Sequence, residues 1–318
     1  MARGCPPSGG SSMSATGSPP SNLCPELATL ALHAGAAPDA ATGSLLMPIY
    51  QTATFVQQGV GLHRGYTYSR TANPTVTALE RRLAALEGGE HALAYASGLA
   101  ATTGLALALL AAGDRVVLSD VVYGGTARLF ADVLERFGVA PEFVDTADPD
   151  AVAAALARPA RLVFVETPAN PTLKLTDLAL VAGLARDAGA LLAVDNTLLT
   201  PVLQRPFAWG ADLVLHSTTK FIDGHNATIG GALVVRDAAL AERLAWHRNA
   251  LGLIQSPFDA WLTLQGAKTL PLRMRRHEEG ARRVGAFLAG DRRVKRLIDP
   301  GAPEFPQAEL ARRQQAGG

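Results

Sequence analysis

The chain has 318 residues, enough for a large α/β domain and part of a second one. Lys and Arg total 29 against 28 Asp and Glu, a formal net charge of +1, so no bulk field directs the protein to nucleic acid or to a membrane surface. Hydrophobic residues make up 48%, which fits a sizeable core, and no apolar run is long enough to span a bilayer.

Residues 1–22 are rich in Gly, Ser and Pro and lack the apolar segment of a signal peptide, so a disordered extension is expected there. Cys5 and Cys24 lie outside every motif, which argues against a disulfide framework or thiolate metal site and suits a reducing cytoplasm. Residues 29–60 show little periodicity, with Pro48-Ile49-Tyr50-Gln51-Thr52 short and extended. Helical order is expected to begin at Asn73-Pro74, where Asn caps and Pro at the first helical position loses no hydrogen bond. Val76, Leu79, Leu83 and Leu86 recur at helical spacing, and Gly88 ends the helix.

A βα alternation follows. A strand over 92–96 feeds a helix from Gly98-Leu99 to about Leu110, and the Ser97-Gly98 junction suits an anion because free N–H groups and the helix dipole point outward. The spacing is not GxGxxG, so a dinucleotide site loses ground, although a plain tight turn explains Ser-Gly equally well. Next come a strand over 115–118, the turn Tyr123-Gly124-Gly125-Thr126, a helix over 126–137, a strand over 142–144 and a helix over 149–156. A buried strand over 161–166 leads to Asn170-Pro171, and a helix over 177–188 leads to the run Ala190–Val194, which ends in Asp195. The run Ala211–Leu215 ends in His216-Ser217-Thr218-Thr219-Lys220, and Gly230–Val235 reads as a return strand. Strands alternating with helices of this length predict a mostly parallel sheet with right-handed crossovers. Beyond residue 240 the chain becomes basic and helical, and Arg273, Arg275 and Arg276 read as a solvated helix face. His277-Glu278 has no second histidine at zincin spacing, so no metal site is expected.

The chemistry gathers at two strand ends. A lysine past the carboxyl end of a core strand stands where an open α/β sheet keeps its ligand, and a desolvated amine forms a Schiff base with an aldehyde. Ser217 and Thr219 beside Lys220 suit a phosphate, and aldehyde plus phosphate describes pyridoxal phosphate (PLP). Asp195 lies one βα interval earlier and could hold the pyridinium nitrogen that makes the ring an electron sink. A lone lysine after a strand is more often an ordinary surface lysine, and an aspartate at the place of Asp195 is commonly a helix N-cap; together they favour PLP.

Six motifs then resemble, in order, the signatures of the Cys/Met-metabolism (trans-sulfuration) PLP enzymes. They are Tyr68-Ser69-Arg70-Thr71-Ala72-Asn73-Pro74-Thr75, Ser97-Gly98-Leu99-Ala100-Ala101, Tyr123-Gly124-Gly125-Thr126, Glu166-Thr167-Pro168-Ala169-Asn170-Pro171, Val194-Asp195-Asn196-Thr197 and Ser217-Thr218-Thr219-Lys220. The resemblance implies a fold-type I α/β protein, with a mostly parallel sheet covered by helices on both faces. It also implies an N-terminal arm over 23–62, a PLP-binding large domain over 63–245, and a linker helix with an incomplete C-terminal small domain over 246–318. Lys220 is then the Schiff-base lysine and proton shuttle, and Tyr123 stacks on the ring and assists proton transfer. Asp195 holds the pyridinium, and Asn170 binds the ring hydroxyl. Gly98, Leu99, Ser217 and Thr219 bind the phosphate, joined across a subunit interface by Tyr68 and Arg70. A homodimer or homotetramer follows, with an amino-acid substrate and no nucleic acid or membrane partner. Gly125 stands where methionine γ-lyases carry cysteine, and the Tyr123–Arg128 stretch resembles the γ-synthase and γ-lyase branch. The implied activity is γ-replacement of an O-acylhomoserine by cysteine, with cystathionine γ-lyase and O-acylhomoserine sulfhydrylase as alternatives. Family members continue past the position of Arg312-Arg313-Gln314-Gln315 to an arginine that binds the substrate carboxylate. Its counterpart here is expected to be lacking, with Arg128 the first substitute and a non-catalytic PLP-binding remnant as the alternative of another class.

Overall fold

The computed structural model describes residues 25–317. The expected extension over 1–22, and both cysteines, lie outside the described residues. The apolar runs form seven strands: β1 (His91–Tyr95), β2 (Arg115–Ser119), β3 (Ala140–Val144), β4 (Leu162–Glu166), β5 (Leu191–Asp195), β6 (Leu213–His216) and β7 (Gly231–Val235). They make one sheet in the order β1-β7-β6-β5-β4-β2-β3. The ladders joining β3, β2, β4, β5 and β6 are parallel, whereas β7 runs antiparallel to both neighbours, as a return strand must.

The described helices are α1 (Pro25–His33), α2 (Pro74–Glu87), α3 (Gly98–Leu109), α4 (Gly124–Arg128), α5 (Pro149–Leu156), α6 (Leu178–Asp187), α7 (Thr200–Leu203), α8 (Ala238–Leu251), α9 (Pro257–Lys268), α10 (Leu270–Ala289) and α11 (Ala308–Gln314). Alternate residues of the inner strands enter opposite cores. Leu162 and Phe164 of β4 pack with α3 and α8, while Val163 and Val165 pack with α5 and α6. Burial on both faces is why these strands read as continuous apolar runs. A third cluster joins α1, α2, α7, α9 and α10 over Ala94 and Ala232.

Three expectations change. Helical order begins earlier than Asn73: α1 is nine residues long, too short to be stable alone, and is held by Leu27 and Ala31 buried against α2 and its neighbours. The helix expected over 126–137 is instead α4, a π-turn over Leu129–Val133 and a 3-10 turn over Leu134–Phe137, with only Phe130 and Leu134 buried beyond α4. Arg273 does not lie on a solvated face: its guanidinium donates to the carbonyls of Phe221 (2.6 Å), Gly266 (2.7 Å) and Ile222 (3.3 Å). No strand follows β7 among the described residues, and the boundary expected at 245/246 falls inside α8. The last helix docks on the sheet domain. Gln314 accepts the Leu178 N–H at 2.9 Å, and Gln307 brackets both backbone groups of Leu175.

Candidate active site

Parallel pairing brings the carboxyl ends of β4, β5 and β6 to one rim of the sheet. In the register Glu166 faces Asp195, and Asp195 faces Leu215, so the Lys220 turn begins beside both carboxylates. The apolar runs end here because the backbone leaves the sheet, and polar side chains take over.

Asp195 accepts the Thr197 N–H at 3.0 Å, and the Thr197 hydroxyl accepts the Ser217 N–H at 2.8 Å. Asp195 keeps a little accessible surface, yet it lies deep enough that burial pushes its carboxyl above the ordinary aspartate range, opposed by Thr197 and by His216. Ser217 meets the start of α3: a Cβ on Gly98 would lie 2.9 Å from the Ser217 Cβ, so the absence of a side chain lets the two segments touch. Ser97 caps α3 through the Ala100 N–H at 3.0 Å. The N–H groups of Gly98 and Leu99 lie in the first turn, where no helical carbonyl precedes them. A Cβ on Gly125 would lie 3.1 Å from Leu99 Cδ1 and 2.4 Å from Tyr123 Cε1, so Gly125 keeps the stacking loop thin. The N–H of Tyr123 donates to Glu166 at 2.6 Å, and the N–H of Asn170 donates to the same carboxylate at 3.2 Å. Burial, and then the Asp195 charge, push Glu166 up to about 7. Hydrogen bonds, the close backbone approaches at Gly98 and Gly125 and the register pair Glu166–Asp195 together make a circuit: Ser217, Gly98, Leu99, Gly125, Tyr123, Glu166, Asp195, Thr197 and back to Ser217.

Lys220 is exposed at this rim and makes no side-chain hydrogen bond or ion pair among the described residues. Its turn is held from behind by Arg273, through Phe221 and Ile222. Thr219 turns away from the circuit. Its hydroxyl donates to the Gly230 carbonyl at 3.1 Å and accepts the Gly230 N–H at 3.0 Å. Asn170 is exposed, with its backbone on Glu166. Tyr123 is 55% exposed, which leaves its ring available to a ligand, and Arg128 is exposed at the end of α4. Tyr68 and Arg70 are not brought to the Lys220 cluster. Arg70 lies over the Tyr68 ring at 5.4 Å and donates to the Asn249 carbonyl (2.6 Å) and its side-chain oxygen (3.0 Å).

Sequence reasoning missed three supports. Glu166 was visible only as a carboxylate ending the strand beside that of Asp195. Arg273 stood in a basic run that gave no sign of its three carbonyls. Glu87, fully buried at the end of α2, meets His216 Nε2 at 2.6 Å and the Asn196 amide at 3.4 Å, and so fixes the residues after Asp195 and before Ser217. These are contacts between distant segments, with no local pattern to announce them.

The residues present fit PLP. The glycine cradle at Gly98, with free N–H groups and the Ser217 hydroxyl, suits the phosphate. A carboxyl held back by desolvation suits a cationic pyridinium, and an unpaired lysine at the same rim suits the aldehyde.

The sheet order and its populated rim are those of a PLP-dependent enzyme of the α/β class. A family model described as Cys/Met metabolism PLP-dependent enzyme matches residues 28–318. A probable cystathionine gamma-synthase of Herpetosiphon aurantiacus is 50% identical over 290 residues, covering 91% of this chain and 91% of the relative. The cystathionine gamma-synthase of Mycobacterium tuberculosis is 50% identical over 291 residues, 91% of this chain and 75% of the relative. Among solved structures, the cystathionine gamma synthase of Xanthomonas oryzae pv. oryzae in complex with aminoacrylate and cysteine superposes with a TM-score of 0.90 at 44% identity, covering 92% of this chain and 75% of that one. The chain belongs to the Cys/Met-metabolism PLP-dependent enzyme family.

Proposed function

We propose that the protein is a cystathionine γ-synthase-type enzyme that replaces the γ-acyloxy group of an O-acylhomoserine with the sulfur of cysteine, the acyloxy group leaving as a carboxylate. The observation that carries this reading is the circuit of cofactor-fitting groups around an unpaired Lys220. Its specificity for γ-replacement rests on the 50% identity to proteins named cystathionine gamma-synthase.

In this reading Asp195 holds the pyridinium, Tyr123 covers the ring, and Asn170 meets the ring hydroxyl. The Gly98 and Leu99 N–H groups and Ser217 hold the phosphate, with Thr219 joining if its hydroxyl leaves Gly230. The bound cofactor supplies an electron sink for charge at Cα and then Cβ of the amino acid, so that a γ-substituent can leave. Lys220 anchors the cofactor, then takes the proton from Cα and carries one at Cβ, a role open to a free amine on a short turn. Arg128 is the candidate for the substrate carboxylate, because an exposed guanidinium offers a bidentate grip.

Tyr68 and Arg70 lie on the arm side of the chain, away from the Lys220 cluster, which supports a homodimer or homotetramer in which they complete a neighbour's phosphate site. A cytoplasmic setting suits the chemistry, because the incoming nucleophile is a reduced thiol. The arm, large domain and C-terminal segment are proposed with the boundaries given above. A second reading, cystathionine γ-lyase, is favoured by 46% identity to a protein of that name from Bacillus subtilis.

The test is direct. Purified protein supplied with PLP should turn yellow with a borohydride-sensitive band, and Lys220→Ala should lose that band. With O-succinyl- or O-acetylhomoserine plus cysteine, mass spectrometry should show cystathionine. Release of 2-oxobutyrate and ammonia from cystathionine as the faster reaction moves the assignment to the lyase. A wild type that takes up no PLP refutes both.

A further inference from the structure

The circuit around Lys220 contains one carboxylate without an assigned role. Glu166 ends β4 directly opposite Asp195 in the parallel register. Its two oxygens are used separately: Oε2 accepts the Tyr123 N–H at 2.6 Å, and Oε1 accepts the Asn170 N–H at 3.2 Å. Both donors are main-chain groups of residues whose side chains face outward, Tyr123 being 55% exposed and Asn170 also exposed.

The same two loops meet at a second point, where Lys174 Nζ pairs with Asp120 at 2.9 Å, but Glu166 is the carboxylate that holds the backbone of Tyr123 and of Asn170 themselves. Tyr123 stands at the start of α4 with no side-chain cap of its own, and α4 is five residues long before it loosens into a π-turn. The Glu166 carboxylate holds the N–H of Tyr123 itself, from the end of a different strand. The ionised carboxylate is suited to the task, because a charged acceptor makes each N–H bond stronger than a neutral one, and titrations run above pH 7 keep it in that form. Burial, and then the Asp195 charge, push this carboxyl up to about 7.

We propose that Glu166 is a positioning residue: its carboxylate couples the Tyr123 loop to the Asn170 loop, so that the stacking ring and the hydroxyl-binding amide are set on the cofactor as one unit. The inference rests on the PLP reading above, and it adds a residue whose action is through two others rather than on the ring itself. Leu replaces both acceptors with methyl groups and leaves two N–H groups unpaired. Gln keeps one acceptor oxygen and presents an NH2 group to the other N–H.

The test compares wild type, Glu166→Gln, Glu166→Leu and Lys220→Ala, each as the full chain titrated with PLP. Binding is followed by absorbance and by the visible circular dichroism of the bound cofactor, which reports the asymmetric environment of the ring. Glu166→Leu should weaken PLP binding by at least about tenfold, because the two loops that carry the ring contacts lose their shared acceptor, and should change the sign or size of the dichroic band. Glu166→Gln should fall between, and it carries the test alone if the leucine variant does not fold. Substituting a brace that served stability alone would lower the melting temperature while leaving the dichroic band of the bound fraction unchanged, and that result overturns the proposal. So does wild-type affinity with a wild-type band in Glu166→Gln. If wild type takes up PLP and only the Glu166 variants behave as wild type, this inference falls and the cofactor reading stands. If wild type takes up none, both fall.

Discussion

Gly231 offers the sharpest test of how tightly the phosphate side of the site is built. It opens β7, paired with Tyr95 of β1, and it lies against the loop that starts α3. A methyl group on Gly231 would lie 2.2 Å from the Ser97 carbonyl oxygen, 2.6 Å from its carbon and 2.8 Å from the Gly98 nitrogen. Ordinary contact begins at 3.4 Å. The shortfall is about 1 Å against main chain on both sides, so no side chain can swing away and either β7 or the Ser97-Gly98 loop must move. Overpacking of this kind costs about 1–3 kcal/mol, and rigid neighbours place Gly231→Ala near the upper figure. Gly183→Ala is the control: it lies within α6 and would meet nothing within 4 Å, so it should stabilise by up to about 1 kcal/mol through helix propensity. Urea unfolding of the two variants should therefore differ by about 3–4 kcal/mol. PLP titration should show the Gly231 variant weakened by at least about tenfold, because the loop that yields is the one that presents the Gly98 and Leu99 N–H groups. A Gly231→Ala protein within about 0.5 kcal/mol of wild type, with unchanged PLP affinity, would refute the packing argument and the cradle together.

Three further outcomes follow from the same geometry. Burial raises Glu166 in the folded cofactor-free protein to about 7 from an ordinary 4.5, so the folded state holds a proton that the unfolded chain releases. Its contribution to stability is full below pH 4.5 and is lost as pH rises through 7, a difference of at most about 3 kcal/mol. Glu166→Gln should flatten the melting-temperature profile in that window, and an unchanged slope would show that Asp195 or another group titrates instead. Arg70→Ala and Lys220→Ala chains, each inactive alone, should recover activity when unfolded and refolded together, since a hybrid dimer has one site with both residues intact; a mixture as inactive as its parts would place Arg70 in its own chain's site. Arg273→Ala leaves the carbonyls of Phe221, Ile222 and Gly266 without their donor and should cost about 2–3 kcal/mol in urea unfolding, with slower borohydride-sensitive loading of Lys220. Loading at the wild-type rate would mean that the turn needs no support from α10.

What the sequence alone determined is everything that repeats or stands next to itself in the chain. The βα alternation, the apolar runs of β4, β5 and β6, the Asn73 cap and the return strand β7 are local patterns, because a strand buried on both faces must be apolar throughout and a helix start must satisfy its own N–H groups. The six motifs were legible for the same reason, each being a strand end and the turn that follows it. Tertiary structure decided what those turns are to one another. Pro25 and the spacing of Leu27, Leu30 and Ala31 permit a helix at Pro25–His33, but nine residues do not hold one alone; burial of Leu27 and Ala31 against α2 does. Thr219 reads as a phosphate ligand until Gly230, eleven positions on, takes its hydroxyl. Glu166 is only the first residue of a motif, with no role of its own, until parallel pairing sets it opposite Asp195 and two loops, 43 residues before it and 4 after, donate to it. Arg273 is one more surface arginine until α10 packs and its guanidinium finds three carbonyls. The physical reason is common to the last three. A hydrogen bond between distant segments depends on where the sheet and helices bring the backbone, and that placement follows from burial of the whole apolar set rather than from the residues beside the donor or the acceptor.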